Sequence, residues 1–137
     1  MKKFWKTNFK KNDFQINCKK LFYYNYLKIY KYHIKIRSFE SKNFNYIERD
    51  LLETNASVSI LLFDPNKRLM LFVEQFRIGS VHHNPWTLEA VSGTTVSSNN
   101  ILDAIKETKE EGDSTCVDII KILDFDNSPG ISNEKTY

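Results

Sequence analysis

A chain of 137 residues with 41% hydrophobic and 14% aromatic side chains has the length of one domain and is too apolar to be disordered. No run approaches the ~18 apolar residues of a membrane-spanning helix, so no membrane partner is expected. The net charge of +3 is a balance of opposites: residues 1–50 hold 13 Lys/Arg against four Asp/Glu, and residues 51–137 hold seven against 13. A basic, aromatic half is a common footprint of nucleic-acid binding. However, Asn, Ile, Tyr and Phe run through the whole chain and share A/T-rich codons with Lys, which accounts for much of the excess, so nucleic acid is not the expected partner. The start, Met1-Lys2-Lys3-Phe4-Trp5-Lys6, is basic, but no apolar stretch or cleavage site of a secretory signal follows. Cys18 and Cys116 lack metal-ligand spacing. A reduced, cytoplasmic protein is the economical reading.

Taken in order, residues 1–12 are basic and expected to fray. Residues 14–36 are rich in β-branched and aromatic side chains, and His33-Ile34-Lys35-Ile36-Arg37 alternates cleanly, which predicts two or three antiparallel strands. Residues 40–45 are a polar break, and 46–53 lead into a second sheet. Residues 56–63 have the pattern of a buried strand. Asp64-Pro65-Asn66-Lys67 is a turn, with Asn66 where positive φ is tolerated, and residues 68–76 form the return strand. After a loop at 79–85, residues 86–91 form a short strand running toward Gly93, in which Trp86 packs into the core. A polar loop leads to a helix over residues 101–111, capped by Asn99 or Asn100 and ended by Gly112. Residues 117–125 return as a strand, and 127–130 turn. The fold class is α+β: an N-terminal antiparallel sheet region over residues 1–50 and a core over 51–137.

The helix carries Lys106-Glu107-Thr108-Lys109-Glu110-Glu111. Spacings of three and four bring Glu107, Glu110 and Glu111 to one face. Like charges so placed repel by a few tenths of a kcal/mol per pair, roughly, and a hard cation such as Mg²⁺ reverses that. A plain solvated acidic face has the same pattern.

Leu88-Glu89-Ala90-Val91-Ser92-Gly93, a loop, and then Lys106-Glu107-Thr108-Lys109-Glu110-Glu111 resemble the Nudix box. Glu74-Gln75-Phe76-Arg77 followed by Pro85-Trp86-Thr87-Leu88-Glu89 resembles the ADP-ribose pyrophosphatase branch of that family. So do Leu62-Phe63-Asp64-Pro65, Ser128-Pro129-Gly130 and Asn133-Glu134. The resemblance covers roughly residues 11–137. It implies a Nudix-type mixed sheet with a catalytic helix, preceded by a small N-terminal antiparallel sheet. It also implies Mg²⁺-dependent hydrolysis of the diphosphate of ADP-ribose, or of a related nucleoside diphosphate sugar, to AMP and ribose 5-phosphate.

By the same resemblance, Glu107, Glu110 and Glu111 are the catalytic acids and metal ligands, with the Ser92 carbonyl as a further ligand. Arg77 contacts substrate, or else forms a surface salt bridge with Glu74 or Glu89. Arg49 and Glu53 shape the nucleoside site or are solvated charges, and Glu134 is a substrate-side acid. Family members pair through exchanged N-terminal sheets, and a homodimer is implied. The chain departs from the family pattern at several points. The loop glutamate is replaced by Ser98 or Asn99, the loop is one residue short, and the helix arginine is Lys106. The family's further core strands, closing helix and later acidic residue lie beyond the position of Tyr137. These departures lead to the expectation of weak or absent hydrolysis, with a catalytically inactive remnant retaining nucleotide binding or dimerisation as the alternative.

Overall fold

The computed structural model describes residues 8–137; of the basic start expected to fray, residues 1–7 lie outside the described residues, whereas Phe9 packs on Phe39 at 4.7 Å and Lys11–Asp13 form a single 3-10 turn. The described chain forms two compact units, residues 8–54 with 130–132, and residues 55–129 with 133–137. The division falls after Thr54 rather than at residue 50, because the third strand of the first sheet runs to Glu53. Residues 46–53 therefore complete the first sheet instead of entering a second one.

The first unit is an antiparallel meander of β1 (Phe14–Tyr24), β2 (Lys28–Arg37) and β3 (Phe44–Glu53). Alternation sorts the side chains of β2 by polarity, whereas β3 carries polar residues on both faces. On one face Tyr30, Ile34 and Ile36 of β2 lie opposite Leu51, Ile47 and Asn45 of β3. On the other, Lys31 pairs with Asp50 at 3.0 Å and His33 with Glu48 at 3.2 Å. Period-two alternation produces this two-faced strand. The register slips between Ile16 and Cys18 and between Leu21 and Tyr23, and such bulges increase twist. Leu52 N–H donates to the Ile131 carbonyl at 2.8 Å, which ties residues 130–132 to the edge of β3.

The second unit is mixed α+β. Its main sheet has the order β10 (Phe125–Asp126), β11 (Lys135–Thr136), β4 (Ser57–Ile60), β9 (Val91–Thr94), with β11 parallel to β4 and the other pairs antiparallel. Two hairpins accompany it: β5 (Leu62–Asp64) with β6 (Leu69–Leu71), and β7 (Val73–Phe76) with β8 (Trp86–Glu89). The strands expected at 56–63, 68–76 and 86–91 thus each break in two, so that neighbouring halves serve different sheets. In the turn between β5 and β6, Asp64 Oδ1 accepts from the N–H groups of Asn66 and Lys67. The residue with positive φ there is Arg68, at 56°, and not Asn66.

The helix α1 spans Asn100–Glu110. Asn99 caps it by accepting from Ile101 N–H at 3.0 Å and Leu102 N–H at 3.4 Å, which satisfies two of the orphan donors of the first turn. Ala104 and the fully buried Thr108 face the sheet, where Val58 and Val91 are the buried apolar partners. Small side chains on the helix allow this close packing. Gly112 follows the helix, but its φ is not positive; Asp113 takes the left-handed conformation at 42°. Gly112 is required by space: a Cβ there would lie 2.8 Å from the Thr108 carbonyl and 3.0 Å from Leu62 Cδ1.

Two further expectations fail. Residues 117–124 form no ladder, and of the expected 117–125 strand only Phe125 is paired, with Asp126 just beyond it. A strand exists only where a neighbour offers its backbone, and among the described residues none lies beside this stretch. Its side chains are held instead, with Ile119 N–H on the Asp118 carboxylate, Lys121 3.7 Å from Asp124 and Asp124 paired with Lys135 of β11 at 2.7 Å. Trp86 does not enter the core. It is 57% exposed, because it alternates onto the outer face of the β7–β8 hairpin, where it meets Phe76 edge to face at 5.7 Å.

Candidate active site

A cavity of about 640 Å³ opens in the second unit where α1, β9, the β7–β8 hairpin and the β4–β11 pair meet. Glu107 and Glu111, one helical turn apart, form its acidic wall. Ser92, Gly93 and Thr94 of β9 form its floor, and Gln75, Arg77 and Glu134 also line it. Glu110 does not: it turns to Lys106, 3.5 Å away in an i,i+4 ion pair. The spacing placed all three glutamates on one face, but neighbours at 110 and 111 differ by about 100° around the helix, and the cavity takes only Glu111 of that pair.

Gly93 lets the acidic wall form. A Cβ at this position would overlap the Glu107 carboxylate, so the missing side chain is the space that Glu107 fills. Burial pushes the Glu107 carboxyl above its ordinary range; Lys106 opposes the rise, and Glu110, Glu111 and Asp103 add to it. Glu111 is held from the hairpin, with Gln75 Nε2 donating to its Oε2 at 3.1 Å.

Arg77 leaves β7 pointing to the same face as Gln75, two residues earlier. Its guanidinium grips Glu89, with Nε at 3.0 Å from both carboxylate oxygens and Nη2 at 2.7 Å from Oε2. That fork is the main reason the Glu89 carboxyl is held below its ordinary range. Glu74 alternates to the opposite face, so of the two alternative ion-pair partners for Arg77 it is Glu89 that pairs with it.

The remaining wall is uncharged. Ser57 Oγ lies 2.8 Å from Thr136 Oγ1, which donates to Asn127 Oδ1 at 3.0 Å. Since a threonine hydroxyl has one proton, Ser57 is the donor in the first of these bonds. Sequence reading missed Gln75, Ser57, Asn127 and Thr136. The signal for Gln75 was available in its i−2 spacing from Arg77 on a strand; the others come together only through the β4–β11 pairing. Arg49 and Glu53 belong to β3 of the first unit, where Arg49 Nη1 donates to the Glu48 carbonyl at 2.7 Å and Glu53 pairs with Lys19.

The loop between β9 and α1 is closed without the missing carboxylate. Ser97 N–H donates to the buried Asp103 carboxylate at 3.2 Å, and the Ser97 hydroxyl donates to the Asn99 carbonyl at 2.9 Å.

Among the described residues no three acidic, histidine or cysteine side chains come together closely enough to enclose a metal. Mg²⁺ does not require that. It keeps several waters and takes one or two carboxylates plus phosphate oxygens. The donor set of Glu107, Glu111 and the Ser92 main chain, which meet at one cavity, fits such an ion.

No protein-family model matches the chain. It is similar to an ADP-ribose pyrophosphatase of Haemophilus influenzae, 26% identical over 129 residues that make up 90% of this chain and 59% of that protein. It is also similar to an ADP-ribose pyrophosphatase of Escherichia coli strain K12, 28% identical over 133 residues, 95% of this chain and 64% of that protein. Among solved structures, its fold is similar to that described as "Crystal structure of ADP compounds hydrolase", with a TM-score of 0.75 and 13% identity, covering 90% of this chain and 64% of that one. The chain thus spans about three fifths of the length of the curated relatives it matches.

Proposed function

We propose that the cavity of this chain, which is similar to ADP-ribose pyrophosphatases, serves Nudix-type, Mg²⁺-dependent hydrolysis of the diphosphate of ADP-ribose, or of a related nucleoside diphosphate sugar, to AMP and ribose 5-phosphate. The observation that carries this reading is the meeting of Glu107, Glu111, Ser92 and Arg77 at one cavity. Mg²⁺ held there would neutralise phosphate charge and activate water. Glu107 and Glu111 would hold the ion, and Ser92 would add its carbonyl. Arg77 would offer its guanidinium to phosphate oxygens, in exchange for part of its grip on Glu89. Glu134 would face the sugar end. Glu110 and Arg49 and Glu53 enter the proposal only by family resemblance, since their side chains are engaged elsewhere.

A second reading, a catalytically inactive relative that still binds nucleotide, is favoured by two observations. Lys106 neutralises Glu110, and the loop has Ser98 and the helix cap Asn99 where the family has a carboxylate. Incubation with ADP-ribose and Mg²⁺, followed by chromatography of AMP, separates the two. Turnover of about 1–1000 per second, abolished in Glu107→Gln, supports the enzyme. Binding of ADP-ribose without AMP release supports the inactive relative.

A homodimer and a cytoplasmic location belong to the same proposal. The first is supported by exposed aromatics on the first sheet, Phe22, Tyr24 and Tyr46 among them, which a second copy would cover. The second is supported by two free cysteines. No helix among the described residues is long and apolar enough to cross a membrane.

A further inference from the structure

Glu111 is the C-cap residue of α1. It stands at the negative end of the helix dipole, where an anion is disfavoured, and its backbone is no longer held by a following helical turn. The helix alone therefore does not orient this carboxylate. The β7–β8 hairpin does. Gln75 donates from Nε2 to Glu111 Oε2 at 3.1 Å, and Gln75 sits opposite Thr87 in the ladder. The same hairpin face is braced by the Arg77 fork on Glu89, to which the Thr87 hydroxyl also donates.

We propose that Gln75 is a positioning residue for Glu111, orienting one carboxylate oxygen and leaving the other for a divalent cation. The inference rests on the metal reading above. The residue type carries the argument. An amide donor fixes the carboxylate without altering its charge. Lys or Arg at position 75 would also donate, but would place a positive charge beside the cation and compete with it. A carboxylate there would have no proton to donate. A neutral donor is the choice that orients an acid and preserves its affinity for a cation.

The test uses the whole chain and Mn²⁺ alone, with free ion measured by electron paramagnetic resonance and folding checked by circular dichroism. Gln75→Met is expected to weaken Mn²⁺ binding about tenfold, the usual effect of losing such a partner. Gln75→Lys, which keeps a donor but adds charge, is expected to weaken it further. In a Glu111→Gln background, Gln75→Met is expected to have no additional effect. Wild-type affinity in both Gln75 variants, alongside a loss in Glu111→Gln, would overturn the inference and leave the metal reading standing. An equal loss from Gln75→Met in both backgrounds would also overturn it, since Gln75 would then act elsewhere. Equal Mn²⁺ affinity in the wild type and Glu111→Gln would overturn the metal reading and the inference with it.

Discussion

The two units differ in what their strands accomplish. The first has strands of 11, 10 and 10 residues, yet none of the side chains on them is buried. The second has strands of two to four residues, yet it contains Val58, Val91, Ala104 and Thr108 in a closed core. The contrast shows that ladder length measures backbone pairing, whereas burial requires a second layer. In the second unit α1 supplies that layer over β4 and β9. The first sheet relies on cross-strand pairs such as Ile34 with Ile47 and on surface ion pairs, each worth about 0.2–1 kcal/mol.

The strongest way to break this comparison is to place a charge in each unit. Val91→Asp puts an unpaired carboxylate at a fully buried position and is expected to cost at least about 3 kcal/mol in urea unfolding. Ile16→Asp, at a side chain 50% exposed, is expected to cost within about 1 kcal/mol. Equal losses at both positions would show that the sheet is packed as tightly as the core.

Two glycines sharpen the contrast within the second unit. Gly112→Ala drives a Cβ toward backbone and core atoms, including Val91 Cγ2 at 3.2 Å, and is expected to cost about 1–3 kcal/mol. Gly93→Ala meets only the flexible end of Glu107. Its melting temperature is expected to stay near that of the wild type, while Mn²⁺ affinity falls about tenfold. A matching loss of stability in both variants would mean that the Glu107 carboxylate has no freedom to move aside.

The smallest effects are electrostatic and of opposite sign. Glu107 is held above its ordinary range by burial, so its charged form is penalised in the folded state. That penalty is absent below the unfolded value and complete above the raised folded one. Glu107→Gln is expected to stabilise the metal-free protein at neutral pH by no more than about 1 kcal/mol, with no gain near about pH 3. Glu89 is held low, chiefly by Arg77. Glu89→Gln is therefore expected to destabilise at neutral pH, by at most about 1 kcal/mol for so exposed a pair. That loss fades as pH falls through the lowered folded value. Thermal melts across pH check both, and slopes of the same sign would contradict the assigned causes.

Local pattern determined much of this molecule before any tertiary contact. Period-two alternation specified β2 and its two faces. By resemblance rather than by local physics, the Glu-Gln-Phe-Arg strand, Gly93 and the acidic helix pointed to the site; Asn99 and the 3.6-residue period specified α1 to within a residue. The β2 and α1 patterns depend on neighbours a few residues apart, and local sterics and hydrogen bonding suffice for them. The tertiary structure decided what depends on distant segments. It split the core strands between sheets and, among the described residues, left 117–124 without a strand partner. It turned Trp86 outward with Phe76. It also chose Glu107 and Glu111 over Glu110, because a cavity accepts only side chains that meet its walls, and β9 leaves room for a carboxylate only above Gly93. Gln75 reached Glu111 across 36 residues of sequence, a contact that no period along the chain encodes and that packing of a hairpin against a helix end creates.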